Sequence, residues 1–251
     1  MTKEEAIQKA INAAQCSPAY EICGYIIERA SGGYGFYKCE NIAIDKMNEF
    51  EIDMIDTDAA LSFGKIVAVV HSHPNKNQLH HLSAFDRLSQ YDNCDGDWIL
   101  IKPDFTYEVY PAIPRFRGRE YVDFTADCYT IVKDFYAMVG IELPEFEYPV
   151  DWWDKGYNMY LEHLPKNGFT QVDKSDIQPG DIMTFNYASH VPNHAGIYVG
   201  DNKVLHHMTD RMSRIDDIGR FMIKYNHSVW RHGKAARGLI SYAIDRIKGE
   251  R

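Results

Sequence analysis

The sequence predicts two domains of mixed helices and strands, in α+β or α/β layers, and three observations carry that prediction. Apolar runs of strand length alternate with longer amphipathic stretches, the segment PAIPRFRGR at 111–119 interrupts them near the middle, and charge differs on its two sides. A chain of 251 residues has room for one large domain or two smaller ones. Residues 1–113 hold 9 Lys/Arg against 17 Asp/Glu and the remainder hold 18 against 19, so the net charge of −9 belongs to the first half. That balance argues against nonspecific binding to a phosphate backbone, and nucleic acid is not an expected partner.

Taken in order, the first half reads as a helix at 3–16, strands at 23–29 and 34–41, a helix at 57–63 and a strand at 66–70. A helix at 83–91 and strands at 98–102 and 106–110 follow. Beyond the proline-rich segment, Asp127 can cap a helix at 128–139 that stops at Gly140. Strands are expected at 183–187, 195–200 and 203–207, with Gly200, Asp201 and Asn202 turning between the last two, and a short helix at 235–248. The boundaries drawn are a domain at 1–112, a linker at 113–119 and a domain at 120–251.

The longest purely aliphatic run, 66–70, is far too short for a membrane helix, and residues 1–10 are charged rather than signal-like, so a cytoplasmic origin is expected. Five cysteines (Cys16, Cys23, Cys39, Cys94 and Cys128) are scattered without a C-x-x-C pair. Neither a disulfide framework nor a four-cysteine zinc site is indicated. Glu49, Glu51, Asp53, Asp56 and Asp58 lack the spacing of a calcium loop and read as a solvated face.

His71-Ser-His-Pro74 directly follows an apolar strand, which brings two imidazoles out at a strand's carboxyl end. Ser83 can cap the next helix, and Asp86, one turn in, can point back toward them. Two imidazoles and a carboxylate make a three-ligand zinc set with room for water, and such a site needs a separate proton acceptor, for which Glu21 is available. His80 and His81 offer further ligands or are ordinary loop histidines. These residues, in the order E-x-C-G, H-S-H-P, S-x-x-D, resemble the JAMM (Mov34/MPN/PAD-1) metallopeptidases over roughly residues 1–110. The resemblance implies a mixed sheet with flanking helices, Zn2+ held by His71, His73 and Asp86, Glu21 as general base and Ser83 at the oxyanion. The nine residues between His73 and Ser83 make a longer loop than the family pattern has.

Cys128 stands at a predicted helix start, where the helix terminus favours a thiolate, although a buried inert cysteine is the ordinary alternative. His194-Ala-Gly-Ile-Tyr198, preceded by Gln178-Pro-Gly-Asp181 and followed by His206, supplies a base and a residue to orient it. Adjacent strand residues face opposite sides, so one of His206 and His207 can point at His194, and His206 is preferred. This order resembles the NlpC/P60 cysteine peptidases over most of residues 118–233. It implies a papain-like α+β fold acting on peptidoglycan stem peptides, with Cys128 as nucleophile, His194 as base, His206 as orienting residue and Tyr121 near the oxyanion. Trp152, Trp153, Tyr157 and Tyr160 read as core aromatics before a sugar surface.

The two modules in this order resemble the tail-assembly proteins of lambda-like siphophages. That implies other phage tail-tip proteins as partners, residence in the host cytoplasm during assembly, and the virion tail tip as a further place of action. A structural assembly factor with one or both sites vestigial is the competing expectation.

Overall fold

Side chains that alternate across a strand give a sheet two distinct faces, and the chemistry of this chain follows from which face each residue takes. The computed structural model describes residues 1–74, 79–93 and 96–250 and separates into two units, Met1–Pro114 and Arg115–Arg251. Cys94 and residues 75–78 of the loop after His73 lie outside the described residues.

Among the described residues of the first unit, five strands form one mixed sheet in the order β2-β1-β3-β4-β5. They are β1 (Cys23–Arg29), β2 (Tyr34–Cys39), β3 (Gly64–Ser72), β4 (Asp97–Ile101) and β5 (Tyr107–Tyr110). Strands β3 and β4 run parallel, so the chain needs a crossover, which contains α3 (Ala84–Asp92). Helix α1 (Lys3–Gln15) starts at a capping box between Thr2 and Glu5, and its apolar stripe of Ala6, Ile7, Ala10 and Ile11 packs on Ile26, Ala68, Val70, Ile99 and Ile101. The opposite face carries Cys23, Tyr25, Ile27, Trp98 and Leu100, with Ala60 of α2 (Met54–Phe63). Because Ala68 and Val70 face α1, His71 must face the other way, where its ring stacks on Phe50 at 4.5 Å.

The second unit's described residues form six strands, each paired antiparallel, in the order β10-β9-β8-β7-β11-β6. They are β6 (Phe169–Val172), β7 (Ile182–Phe185), β8 (His194–Gly200), β9 (Lys203–His206), β10 (Arg214–Asp217) and β11 (Asn226–His232). Helix α4 (Cys128–Met138) is capped by Asp127, whose carboxylate accepts the Thr130 N–H at 2.9 Å, and it lies against β8. The short α5 (Met159–His163) and α6 (Arg220–Tyr225) and the closing α7 (Arg237–Lys248) complete the unit. Strands β8 and β9 meet at Asp201 and Asn202, whose φ angles of 52° and 56° are those of a tight hairpin turn. Asp181 of the P-G-D motif is buried, and Arg231 of β11 clasps it through two hydrogen bonds of 2.9 and 2.8 Å. The four described cysteines are free thiols.

Candidate metal and thiol sites

The first site grows from the register of β1 on β3. Cys23 pairs with His71, and the antiparallel run continues outward through Ile22 and Ser72, so Glu21 arrives beside His73. Glu21, His71 and His73 are all buried, with one ligand atom of each within 4.8 Å of the others. Asp86 reaches the pair from α3: its carboxylate oxygens lie 3.8 Å from His71 Nε2 and 4.0 Å from His73 Nε2, and Glu21 Oε1 also lies 4.0 Å from His73 Nε2. These separations are too long for hydrogen bonds.

The tautomers favour lone pairs in this cluster. His73 Nδ1 donates to the Leu79 carbonyl at 2.6 Å, which leaves Nε2 as the basic nitrogen. Both ring nitrogens of His71 are buried, and among the described residues neither has a hydrogen-bond partner. Burial brings His71 down to about 4, although Asp86 pulls the other way, so the ring stays neutral well into acid. A buried imidazole beside a second imidazole and two carboxylates is a donor set that could hold a metal ion, and these residues fit one. Ser83 caps α3: its Oγ accepts the Asp86 N–H at 3.1 Å and its own N–H donates to Asp86 at 2.8 Å, which holds that carboxylate in place. His80 and His81 are exposed.

The second site lies where α4 begins and β8 begins. Cys128 Sγ is 3.2 Å from the Tyr160 hydroxyl, and the backbone N–H of Ala195, the neighbour of His194, also pulls the thiol downward. Among the described residues the thiol makes no hydrogen bond to an imidazole. Burial and the adjacent Asp127 carboxylate push the thiol up to about 12, against the opposing pull of the Tyr160 hydroxyl and the Ala195 N–H. The cap that starts the helix therefore offsets the helix terminus that would acidify the sulfur.

His194 Nε2 lies 3.0 Å from His206 Nδ1, and His206 Nε2 lies 3.2 Å from Asp216 Oδ2. Gly196, paired with His206 across the hairpin, permits this contact: a Cβ there would stand 2.6 Å from Val204 Cγ2 and 2.9 Å from His206 Cβ. Burial, then the charges that His206 and His207 would carry, hold His194 well below the usual imidazole range. Burial lowers His206 also, with Asp216 opposing. His207 turns to the other side and meets the Tyr121 ring edge-on at 5.3 Å. The segment before Tyr121 is fixed by mutual hydrogen bonds between Arg119 and Ser213. Burial, with Cys128 contributing, raises the Tyr121 phenol.

Sequence reasoning did not find Asp216, which sits on a strand without apolar alternation, and it read Tyr160 only as packing. Tyr160 is fully buried and does both.

Known proteins resemble this chain along most of its length. The NlpC/P60 family model matches residues 115–231. Tail tip assembly protein K of Escherichia phage lambda is 39% identical over 169 residues, which is 67% of this chain and 83% of that protein. Tail tip assembly protein K of Escherichia phage N15 is 28% identical over 222 residues, 82% of this chain and 87% of that one. Both alignments are longer than either unit, so each reaches into both. A solved NlpC/P60 family protein from Bacillus cereus is 14% identical with a TM-score of 0.40; the match covers 88% of this chain and 66% of that one, just under two thirds. With 39% identity across 83% of the lambda protein, the chain belongs to the tail tip assembly protein K family and carries an NlpC/P60 domain at residues 115–231.

Proposed function

We propose that the chain is a tail-tip assembly protein whose second unit hydrolyses amide bonds of peptidoglycan stem peptides by acyl transfer. The observation that supports this most is the hydrogen-bonded pair of His194 on β8 and His206 on β9, with the N–H of Ala195, next to His194, acting on the Cys128 thiol. With the thiol pushed up to about 12, the reading is general-base catalysis rather than a preformed thiolate and imidazolium. His194 takes the Cys128 proton as sulfur attacks the carbonyl carbon, and His206 orients the ring. The protonated His194 then gives that proton to the leaving amine. Water, deprotonated by His194, releases the acyl group as a carboxylic acid and restores the thiol. N–H groups at the start of α4, with the Tyr121 hydroxyl, serve the oxyanion.

The first unit is read as a JAMM-like metallopeptidase domain. His71, His73 and Asp86 would hold zinc, with Glu21 as the proton-transferring carboxylate and Ser83 at the oxyanion. A zinc ion there would supply Lewis-acid polarisation of a peptide carbonyl and acidify water. The domains of this reading are 1–112 and 120–251, joined by 113–119. Other tail-tip proteins are the proposed partners, in the host cytoplasm during assembly and at the virion tip afterwards. Among the described residues no helix is long and apolar enough to cross a membrane.

The experiment is a muropeptide digest by the purified chain beside Cys128→Ala. Wild type should release free stem peptide fragments and the variant none; cleavage that survives the substitution overturns the assignment. A second reading, an assembly factor with inactive sites, draws on the protonated Cys128 thiol and its bond to Tyr160. Phage carrying Cys128→Ala or His73→Ala that plate at wild-type efficiency would support it.

A further inference from the structure

We infer that Asp216 is a positioning residue that decides which nitrogen of His194 is basic. The inference rests on the reading of Cys128 and His194 as nucleophile and base. It follows from counting protons along one row of side chains. Arg214 pairs with His206 across β9 and β10, so Asp216, two residues on, takes the same face as Arg214. A carboxylate only accepts hydrogen bonds, so His206 Nε2, 3.2 Å from Asp216 Oδ2, must carry a proton. Neutral His206 then has its lone pair at Nδ1, and it accepts from His194 Nε2, 3.0 Å away. His194 therefore holds its proton on Nε2 and presents a lone pair at Nδ1, the nitrogen left to act on Cys128.

The groups that face His206 are His194 from β8 and Asp216 and Arg214 from β10, while its chain neighbour His207, turned the other way, acts on it only through charge. Arg214 Nε lies 2.8 Å from Asp216 Oδ1 and 2.9 Å from Oδ2. Burial alone would raise the Asp216 carboxyl, but its bonds to His206 and Arg214 prevail and keep it ionised. In the proposed reaction the proton taken from sulfur goes to His194 Nδ1, and the imidazolium then donates from Nε2 into a row that ends in a negative charge. Asp216 touches no reacting atom.

Asn in place of Asp216 has nearly the same shape but can turn an N–H toward His206 Nε2. That reverses the row: His206 donates from Nδ1, His194 accepts at Nε2, and the His194 proton moves to Nδ1, where it blocks base catalysis. The test is imidazole 15N NMR on the full chain at neutral pH with labelled histidine, resonances being assigned with H194Q and H206Q. Wild type is expected to show protons on Nε2 of both rings. D216N should move the His194 proton to Nδ1, and D216E should retain the wild-type pattern. Muropeptide hydrolysis should fall by roughly 10²–10⁴-fold in D216N, the range general-base catalysis supplies. A folded D216N with the wild-type 15N pattern, or a wild type with the His194 proton on Nδ1, overturns the inference. The expected tautomers and their reversal in a chain that cleaves no muropeptide would uphold it while removing the peptidase reading.

Discussion

The Tyr160 hydroxyl stands 3.2 Å from the Cys128 sulfur, on which the N–H of Ala195, next to His194, also acts. Tyr160 is an aromatic of the buried interior whose polar end happens to be the nearest hydrogen-bond partner of the candidate nucleophile.

Removing that hydroxyl should make the sulfur less reactive. The phenol pulls the thiol downward, so Tyr160→Phe should raise Cys128 further and slow its alkylation at fixed pH, by about tenfold for the loss of one hydrogen bond. Iodoacetamide labelling from pH 7 to 10, read at Cys128 by peptide mass spectrometry, measures this. Unchanged rates would mean that the contact has no influence on the thiol.

Gly196→Ala should be costly for packing and for the histidine pair together. The added methyl would meet Val204 Cγ2 at 2.6 Å, the Leu205 carbonyl oxygen at 2.8 Å and His206 Cβ at 2.9 Å. We expect a loss of about 1–3 kcal/mol in urea unfolding, with a changed His206 NMR resonance. A variant as stable as wild type with an unmoved resonance contradicts the close approach of β8 and β9.

The first site should bind one zinc per chain. Elemental analysis after dialysis should find close to one equivalent in wild type and little in His71→Ala or His73→Ala. Zinc in hundredfold excess over its Kd should stabilise the wild type by about 2.7 kcal/mol and leave the variants unmoved. Less than about half an equivalent in metal-replete wild type removes the metal reading.

The second unit should lose stability on acidification. Its buried His194 and His206 are held below the ordinary imidazole value of 6.5, so the unfolded chain binds more protons than the folded one below that pH. The contribution is full above pH 6.5 and is lost as pH falls through the folded values, by up to about 1.4 kcal/mol per pH unit for each ring. Denaturant unfolding at pH 7.5 and 5.5 should show this slope, and His206→Gln should flatten it. A slope unchanged in the variant would place the effect elsewhere.

Much of the fold was legible because it depends on local patterns. The apolar stripe of α1, the Asp127 cap of α4, the apolar run of β1, and the turn at Asp201 and Asn202 each act over a few residues, and the structure puts those elements within one or two residues of expectation. The helix expected at 57–63 begins earlier, at Met54, because Asp53 caps it by accepting the Ile55 N–H. The strands β6, β10 and β11, with sequences FTQV, RIDD and NHSVWRH, lack clear apolar alternation and were not foreseen. Their pairing is dictated by the sheet rather than by their own residues. The cysteine and histidine candidates were legible as chemistry at strand and helix ends. Asp216 was not, because only the pairing of β10 with β9 brings it to His206. The aspartate at Asp127 was read as a helix cap, but its electrostatic cost to the thiol depends on burial.

That last feature bears on how the molecule ages. Peroxides and other oxidants attack the sulfur anion, and a sulfur kept protonated offers them little. By setting the capping carboxylate of Asp127 beside the sulfur, the chain keeps the Cys128 thiol protonated even though the Tyr160 hydroxyl pulls the other way. Cys128 should therefore outlast an acidic thiol in air, where the latter would decay to sulfinic and sulfonic acids.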